Sequence, residues 1–119
     1  MASMTMLQSE ARDGELRASG LERLAAELER EAAVLAGRLD GVVRAFTDTV
    51  WRGPAATRTR QTLLTNQGRL WSAADELRRV ASLLRRRAGD ARARSSDLRR
   101  QAALVAADQA RAPAGPLQR

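Results

Sequence analysis

The side chains that could do chemistry in this chain are few in kind. Its 119 residues include no Cys, His, Lys or Tyr. Thiolate nucleophiles, imidazole bases, Schiff-base amines and zinc sites built on Cys are therefore absent, which leaves Asp, Glu, Ser and Thr for catalysis. We accordingly expect that the protein is not an enzyme, with no catalytic residue, no cofactor and no metal site.

Charge is carried by Arg and is uneven along the chain. All 21 basic residues are Arg, and with 14 acids they give a net charge of +7. Residues 1–50 hold nine acids and six Arg, whereas residues 51–119 hold five acids and fifteen Arg. The acidic first half and the basic second half would attract each other if the two halves pack together. No apolar run could span a membrane, and the first ten residues lack the regions of a conventional signal peptide.

Apolar residues recur every seven positions in two long stretches. In the first stretch, one row is Leu21, Leu28, Leu35 and Val42, and the other is Ala25, Ala32, Leu39 and Phe46. In the second stretch, the rows are Leu63, Leu70, Leu77, Leu84, Ala91, Leu98, Val105 and Gln67, Ala74, Ala81, Ala88, Ser95, Ala102. Such sustained spacing of three and four residues predicts two helices of a coiled coil.

In each stretch, the two rows together form one apolar stripe, which we call the seam. Folding the chain back at residues 51–55 aligns the two seams layer by layer. Five consecutive layers then pair a large residue with a small one: Leu21/Ala88, Ala25/Leu84, Leu28/Ala81, Ala32/Leu77 and Leu35/Ala74. Such alternation is what closely packed antiparallel helices require. The predicted fold is all-α, an antiparallel two-helix hairpin over residues 1–110. Helix 1 covers about 5–50, helix 2 about 56–110, and 111–119 form a disordered tail.

The start of helix 1 is open to two interpretations. The register continues outward through small residues, in the layers Ala18/Ala91 and Gly14/Ser95. Either helix 1 reaches back to about Met4 across this weak segment, or it begins near Leu21 and helix 2 overhangs. The heptad continues as far as Met4, so we expect the longer helix.

One flank of the hairpin indicates an interface. Toward the open end it carries charge, with Glu22 facing Arg85 and Glu29 facing Arg78. Toward the corner it becomes apolar, and the residues there are Ala36, Val43, Val50, Leu64 and Trp71. An apolar patch with a Trp and a charged rim is typical of half an interface. Two hairpins would then form a four-helix bundle; alternatively, Trp71 covers its own seam.

The corner carries the sequence Val50-Trp51-Arg52-Gly53-Pro54. Gly53 permits a positive φ, and Pro54 can open the second helix. A helical hairpin of this length with Trp-x-Gly at its bend resembles the WxG-motif small proteins exported by type VII secretion systems. The resemblance covers roughly residues 16–110 and rests on Trp51 and Gly53 at the bend.

The resemblance implies export as a folded dimer, from a cytoplasmic pool and without a cleaved signal peptide. It implies that a type VII secretion ATPase reads the bend together with a C-terminal Tyr-x-x-x-Asp or Tyr-x-x-x-Glu signal. This chain has no Tyr; its nearest match places Leu104 before Asp108. We therefore expect a heterodimer, with the partner supplying the intact signal, rather than a homodimer. At Trp51 itself, two roles are open: an exposed anchor, or a plug over Val50 and Phe46.

A basic face along helix 2 permits one further reading. Arg78, Arg85, Arg92 and Arg99 recur every seven residues, and they could contact the phosphates of a nucleic acid. No aromatic residue is interleaved with them, and acids face part of the row, so a solvated or internally paired face is expected. Besides the secretion substrate, a cytoplasmic coiled-coil adaptor and a basic nucleic-acid-associated protein are the alternatives. We expect no small-molecule substrate.

Overall fold

The computed structural model describes residues 3–47 and 51–111, and within them it contains three helices and no strand. These are α1 (Met4–Gly37), α2 (Asp40–Thr47) and α3 (Pro54–Arg111). Within these described residues, none of the helices contains an apolar stretch of the kind that a membrane-spanning segment needs. The tail predicted over 111–119 lies outside the described residues except for Arg111, which ends α3.

Ser3 fixes the start of α1. Its Oγ accepts a hydrogen bond from the backbone N–H of Met6 at 3.1 Å, and its carbonyl accepts one from Leu7 at 3.0 Å. This is the usual geometry of an N-cap serine, which satisfies amides that the first helical turn cannot. Helix α1 therefore includes the weak segment around Gly14, and the longer of the two predicted forms is the observed one.

The chain divides into two compact units. The first unit combines residues 1–22 with 85–119, and the second contains residues 23–84. In the first unit, Arg99 and Arg92 of α3 pair with Glu15 and Glu22 of α1, so the two segments are antiparallel. The second unit has the same direction of pairing, because Trp71 bonds to Ala36 and Gln67, four residues earlier in α3, bonds to Asp40, four residues later than Ala36. The antiparallel helical hairpin predicted from the heptads is therefore confirmed within each unit.

The core of the first unit consists of the predicted outer layers. Leu7, Ala11, Leu98 and Ala102 form one buried cluster, with Met4 and Val105 packed against it. Beyond the cluster, the helices approach closely where Gly14 meets Ser95, because a Cβ on Gly14 would lie only 2.3 Å from Ser95 Oγ. The small residues of this weak segment therefore permit contact rather than interrupt it.

Small residues also occupy the centre of the second unit. Ala25, Ala32, Ala74 and Ala81 are fully or almost fully buried, while the Leu residues predicted to face them are half-buried. Each Ala thus lies under the larger side chain of the opposite helix, as ridge-into-groove packing requires. The predicted register holds through this part of the unit.

The first predicted helix is not continuous, and this corrects the expected range of about 5–50. Helix α1 ends at Gly37, and α2 begins at Asp40. The backbone N–H of Arg38 bonds to the carbonyl of Leu35 at 3.3 Å, which is a tightened turn. Gly37 and Gly41 flank the break, and each glycine costs a helix about 1 kcal/mol relative to alanine.

Two side chains of α3 bridge the break. Trp71 donates its indole Nε1–H to the carbonyl oxygen of Ala36 at 3.0 Å. The buried Gln67 donates Nε2–H to Asp40 Oδ1 at 2.9 Å. The first bond satisfies a carbonyl at the end of α1, and the second holds the start of α2. This hydrogen bond accounts for a polar residue at position 67 of the heptad row, because Gln67 binds the first residue of α2.

The break also changes which valine faces α3. Val42, predicted in the seam opposite Gln67, is 49% exposed. Val43, predicted on the outer flank, is half-buried and lines a groove with Leu63 and Leu64. Interrupting the helix after Gly37 rotates α2 relative to the heptad numbering, so the seam prediction for Val42 is wrong.

Replacing Ser95 with Ala should stabilise the fold. Ser95 Oγ is buried and has no hydrogen-bond partner within the described residues. Removing such a hydroxyl should raise the free energy of unfolding by about 1 kcal/mol, in addition to a gain in helix propensity of about 0.5 kcal/mol. Ser96→Ala, at the exposed neighbouring position, should give only the propensity gain. Urea unfolding measures both; equal effects would contradict the assignment.

Candidate functional site

The corner before α3 is built on Gly53. Its φ is +110°, a left-handed conformation that favours glycine, and no other described residue has a positive φ. Pro54 opens α3, and the carbonyl of Gly53 accepts the N–H of Thr57 at 3.0 Å, so that Gly53 caps the helix. The predicted positive φ at this position is confirmed. Trp51 lies two residues earlier and is 44% exposed.

Arg60 holds the Trp51 segment from the second turn of α3. Its Nη2 donates to the Trp51 carbonyl at 2.7 Å, and its guanidinium lies 5.6 Å from the centre of the Phe46 ring. The rings of Phe46 and Trp51 meet edge to face, with centres 5.3 Å apart and planes at 73°. The three residues form one cluster, which we call the corner cluster. Trp51 thus contacts Phe46 and also keeps an exposed surface.

Arg60 is not among the site residues predicted from the sequence. A signal was available, because Arg60 stands seven residues before Gln67 and so extends one seam row toward the corner. A long cation at a seam position must turn its charged end toward a carbonyl, an acid or an aromatic face. Here the Arg60 guanidinium contacts both the Trp51 carbonyl and the Phe46 ring. Val50, the other predicted contact of Trp51, lies outside the described residues.

The predicted partner flank is brought together in two pairs. Trp71 contacts Ala36 through its indole N–H, and Val43 and Leu64 line the same groove. Trp71 and Leu64 remain 48% and 56% exposed. Trp71 therefore covers part of its own seam and also presents apolar surface outward. The flank keeps the composition expected of an interface, and its use as one remains a prediction.

The two residues of the degenerate C-terminal signal lie in the last turns of α3. Leu104 is 64% exposed. Asp108 forms an ion pair with Arg111, one turn further on. Leu104 is therefore accessible, whereas the Asp108 carboxylate already has a cation beside it. Recognition of this pair remains a prediction.

Part of the basic face is paired with acids of α1. Arg99 forms a two-pronged ion pair with Glu15, in which Nη2 lies 2.7 Å from Oε2. Arg92 forms a second with Glu22, at 3.0 and 3.2 Å. From the heptads, Glu22 was predicted to face Arg85, one heptad away from Arg92; the structure shows the guanidinium of Arg92 paired with Glu22.

Other Arg residues pair locally. Four ion pairs join an acid to the Arg three residues later along α3: Asp75–Arg78, Glu76–Arg79, Asp97–Arg100 and Asp108–Arg111. All of these pairs are exposed, so each adds little to stability. They nevertheless reduce the number of cations available to a phosphate backbone. This arrangement favours the internally paired face over a nucleic-acid surface.

The Glu15–Arg99 pair changes the titration of its carboxylate. Hydrogen bonds from Arg99, together with the positive charges of Arg99 and Arg92, hold the pKa of Glu15 below its ordinary value of 4.5. The same pair raises the pKa of Arg99. The carboxylate therefore stays ionised to a lower pH when the chain is folded.

Comparison with known proteins identifies no relative: no family model, no curated protein and no solved structure matches this chain.

Replacing Trp71 with Phe should weaken the bridge across the helix break. The change removes the N–H bound to the Ala36 carbonyl, and a bond of this kind contributes about 1 kcal/mol. Trp51→Phe is the matched control, because the Trp51 indole N–H makes no hydrogen bond within the described residues. Thermal unfolding followed by helix signal measures both. A cost for Trp71→Phe no larger than for Trp51→Phe would argue against the bridge.

Replacing Glu15 with Gln should make the free energy of unfolding less dependent on pH below neutral. Because folding lowers the pKa of Glu15, the pair stabilises the fold above pH 4.5, and this contribution is lost as pH falls through the folded pKa. Glu15→Gln should therefore lose less stability than wild type between neutral pH and about pH 3. Glu27→Gln, at an exposed position without an ion pair among the described residues, should leave the curve unchanged. Parallel curves for wild type and Glu15→Gln would contradict the prediction.

Proposed function

We propose that this chain is a WxG-type small protein that is exported by a type VII secretion system, or is co-secreted through it as a dimer partner. The observation that carries the proposal is the corner. An exposed Trp51 stands two residues before a glycine with φ +110°, between α2 and the long helix α3. This is the placement of Trp-x-Gly that the resemblance requires.

In this proposal, Trp51 is the apolar anchor that the secretion machinery reads. The corner cluster supports that role, because Arg60 and Phe46 fix the segment while leaving part of the indole exposed. A side chain held in place before binding loses less conformational entropy when a partner covers it. Gly53 contributes by allowing the backbone to turn directly behind the anchor.

Dimerisation is part of the proposal, and exposed apolar side chains support it. Leu64 and Trp71 on the predicted flank remain 56% and 48% exposed, and an exposed apolar patch of this kind is typical of a surface that a partner covers. The apolar flank with Leu64 and Trp71 is where we place the partner, in a four-helix bundle.

The partner that we favour is a different WxG-type chain. This chain lacks the Tyr of the C-terminal signal, and Leu104 takes its place four residues before Asp108. A heterodimer would combine the Trp51 corner of one chain with an intact signal on the other. The complex would be recognised by the secretion ATPase in the cytoplasm and then exported without a cleaved signal peptide.

Replacing Trp51 with Ala should abolish export while preserving the fold. The measurement is the amount of tagged protein in culture medium, from the chain's own host with and without the type VII ATPase. Wild type should be exported only with the ATPase, and Trp51→Ala should remain in the cells.

The matched control for this experiment is Leu16→Ala, which removes a more exposed apolar side chain in the first unit. Its export should equal that of wild type, and circular dichroism should give the same helix content for both variants. Retention of wild type with or without the ATPase would contradict the proposal and favour the cytoplasmic coiled-coil adaptor.

A further inference from the structure

Helix α2 differs from the other two helices in how little of it is buried. All thirteen buried residues in the described ranges belong to α1 or α3. None of the eight residues of α2, all of which are described, is buried, and Val43 and Phe46 are only half-buried. Because burial of apolar area is the main source of stability, we expect α2 to be held with less free energy than its neighbours.

Helix α2 is also too short to persist by itself. It has eight residues, whereas isolated helices shorter than about 12–15 residues are marginal in water. Its sequence includes Gly41 and the β-branched residues Val42, Val43 and Thr47, all of which disfavour a helix relative to alanine. The helical form of α2 therefore depends on its contacts with the rest of the chain.

The break between α1 and α2 separates the two helices in their hydrogen bonding. The N–H of Arg38 bonds three residues back, to the carbonyl of Leu35. Trp71 anchors the end of α1 to α3 through the carbonyl of Ala36. Because neither bond involves a residue of α2, loss of α2 would leave the pairing of α1 with α3 in place.

Side-chain contacts join α2 to its surroundings at both of its ends. At its start, Asp40 accepts the hydrogen bond from Gln67 of α3. Near its end, the Phe46 ring belongs to the corner cluster, where it meets the Trp51 ring and the Arg60 guanidinium. Opening of α2 would therefore break the corner cluster in the same step.

We propose that α2 opens as one cooperative unit while α1 and α3 stay paired, so that α2 is a lid over the part of α3 around Leu63 and Gln67. In the closed form, the Phe46 ring covers part of Trp51, whereas opening removes that ring and leaves the indole free. The exposed area of Trp51 is then set by the opening equilibrium. The inference goes beyond the proposed function, because it concerns the chain by itself and holds whether or not the chain is exported.

The test is hydrogen exchange of the backbone amides of the full chain, measured residue by residue by NMR under conditions in which the rate reports the opening equilibrium. The amides of residues 43–47 should be protected at least about tenfold less than those of residues 25–35 and 70–84, because local opening requires less free energy than global unfolding. Equal protection in the three ranges would overturn the inference.

Two variants show whether α2 is separate from the rest of the fold. Phe46→Ala removes the ring that α2 contributes to the corner cluster, so exchange at residues 43–47 should become about tenfold faster or more, with residues 25–35 and 70–84 unchanged. This holds even if the variant loses α2 altogether. Leu77→Ala, in the half-buried seam between α1 and α3, should do the reverse. Uniform acceleration of all three ranges by either variant would mean a single cooperative unit and contradict the proposal.

A stabilising variant tests the same equilibrium in the opposite direction. Gly41 of α2 and Gly89 of α3 are both exposed helical glycines, and an added Cβ meets nothing within 4 Å at either position. Gly41→Ala should raise the protection of residues 43–47 by about fivefold through its higher helix propensity, whereas Gly89→Ala should leave that range unchanged. Equal effects of the two variants on residues 43–47 would count against a separate opening of α2.

Discussion

The close approach of two helices over small side chains is the constraint on which the rest of this structure depends. Nine of the thirteen buried residues in the described ranges are Ala, and the largest fully buried side chain is that of Ser95. Because alanine removes little apolar area from water, each layer contributes little free energy and stability must come from many layers. The Leu residues that pack over these Ala stay half-buried, so part of their apolar surface remains exposed.

The same constraint explains what could be predicted from the sequence. Alternation of large and small residues specified the register, and Gly14 against Ser95 followed it even where both residues are small. The break after Gly37 was missed because a heptad analysis weighs apolar positions and ignores paired glycines. The bonds from Trp71 to Ala36 and from Gln67 to Asp40 compensate for the break, and such contacts depend on three-dimensional placement that no sequence spacing reveals.

The candidate site was predicted in its backbone and only partly in its side chains. Residue type alone identified Trp51 and the turn at Gly53, because few other residues tolerate φ +110°. The role of Arg60 and the pairing of Glu22 with Arg92 were not predicted. Both depend on which of several groups, one or two turns away, a long and flexible Arg side chain contacts. At an exposed surface, several such contacts have similar energies.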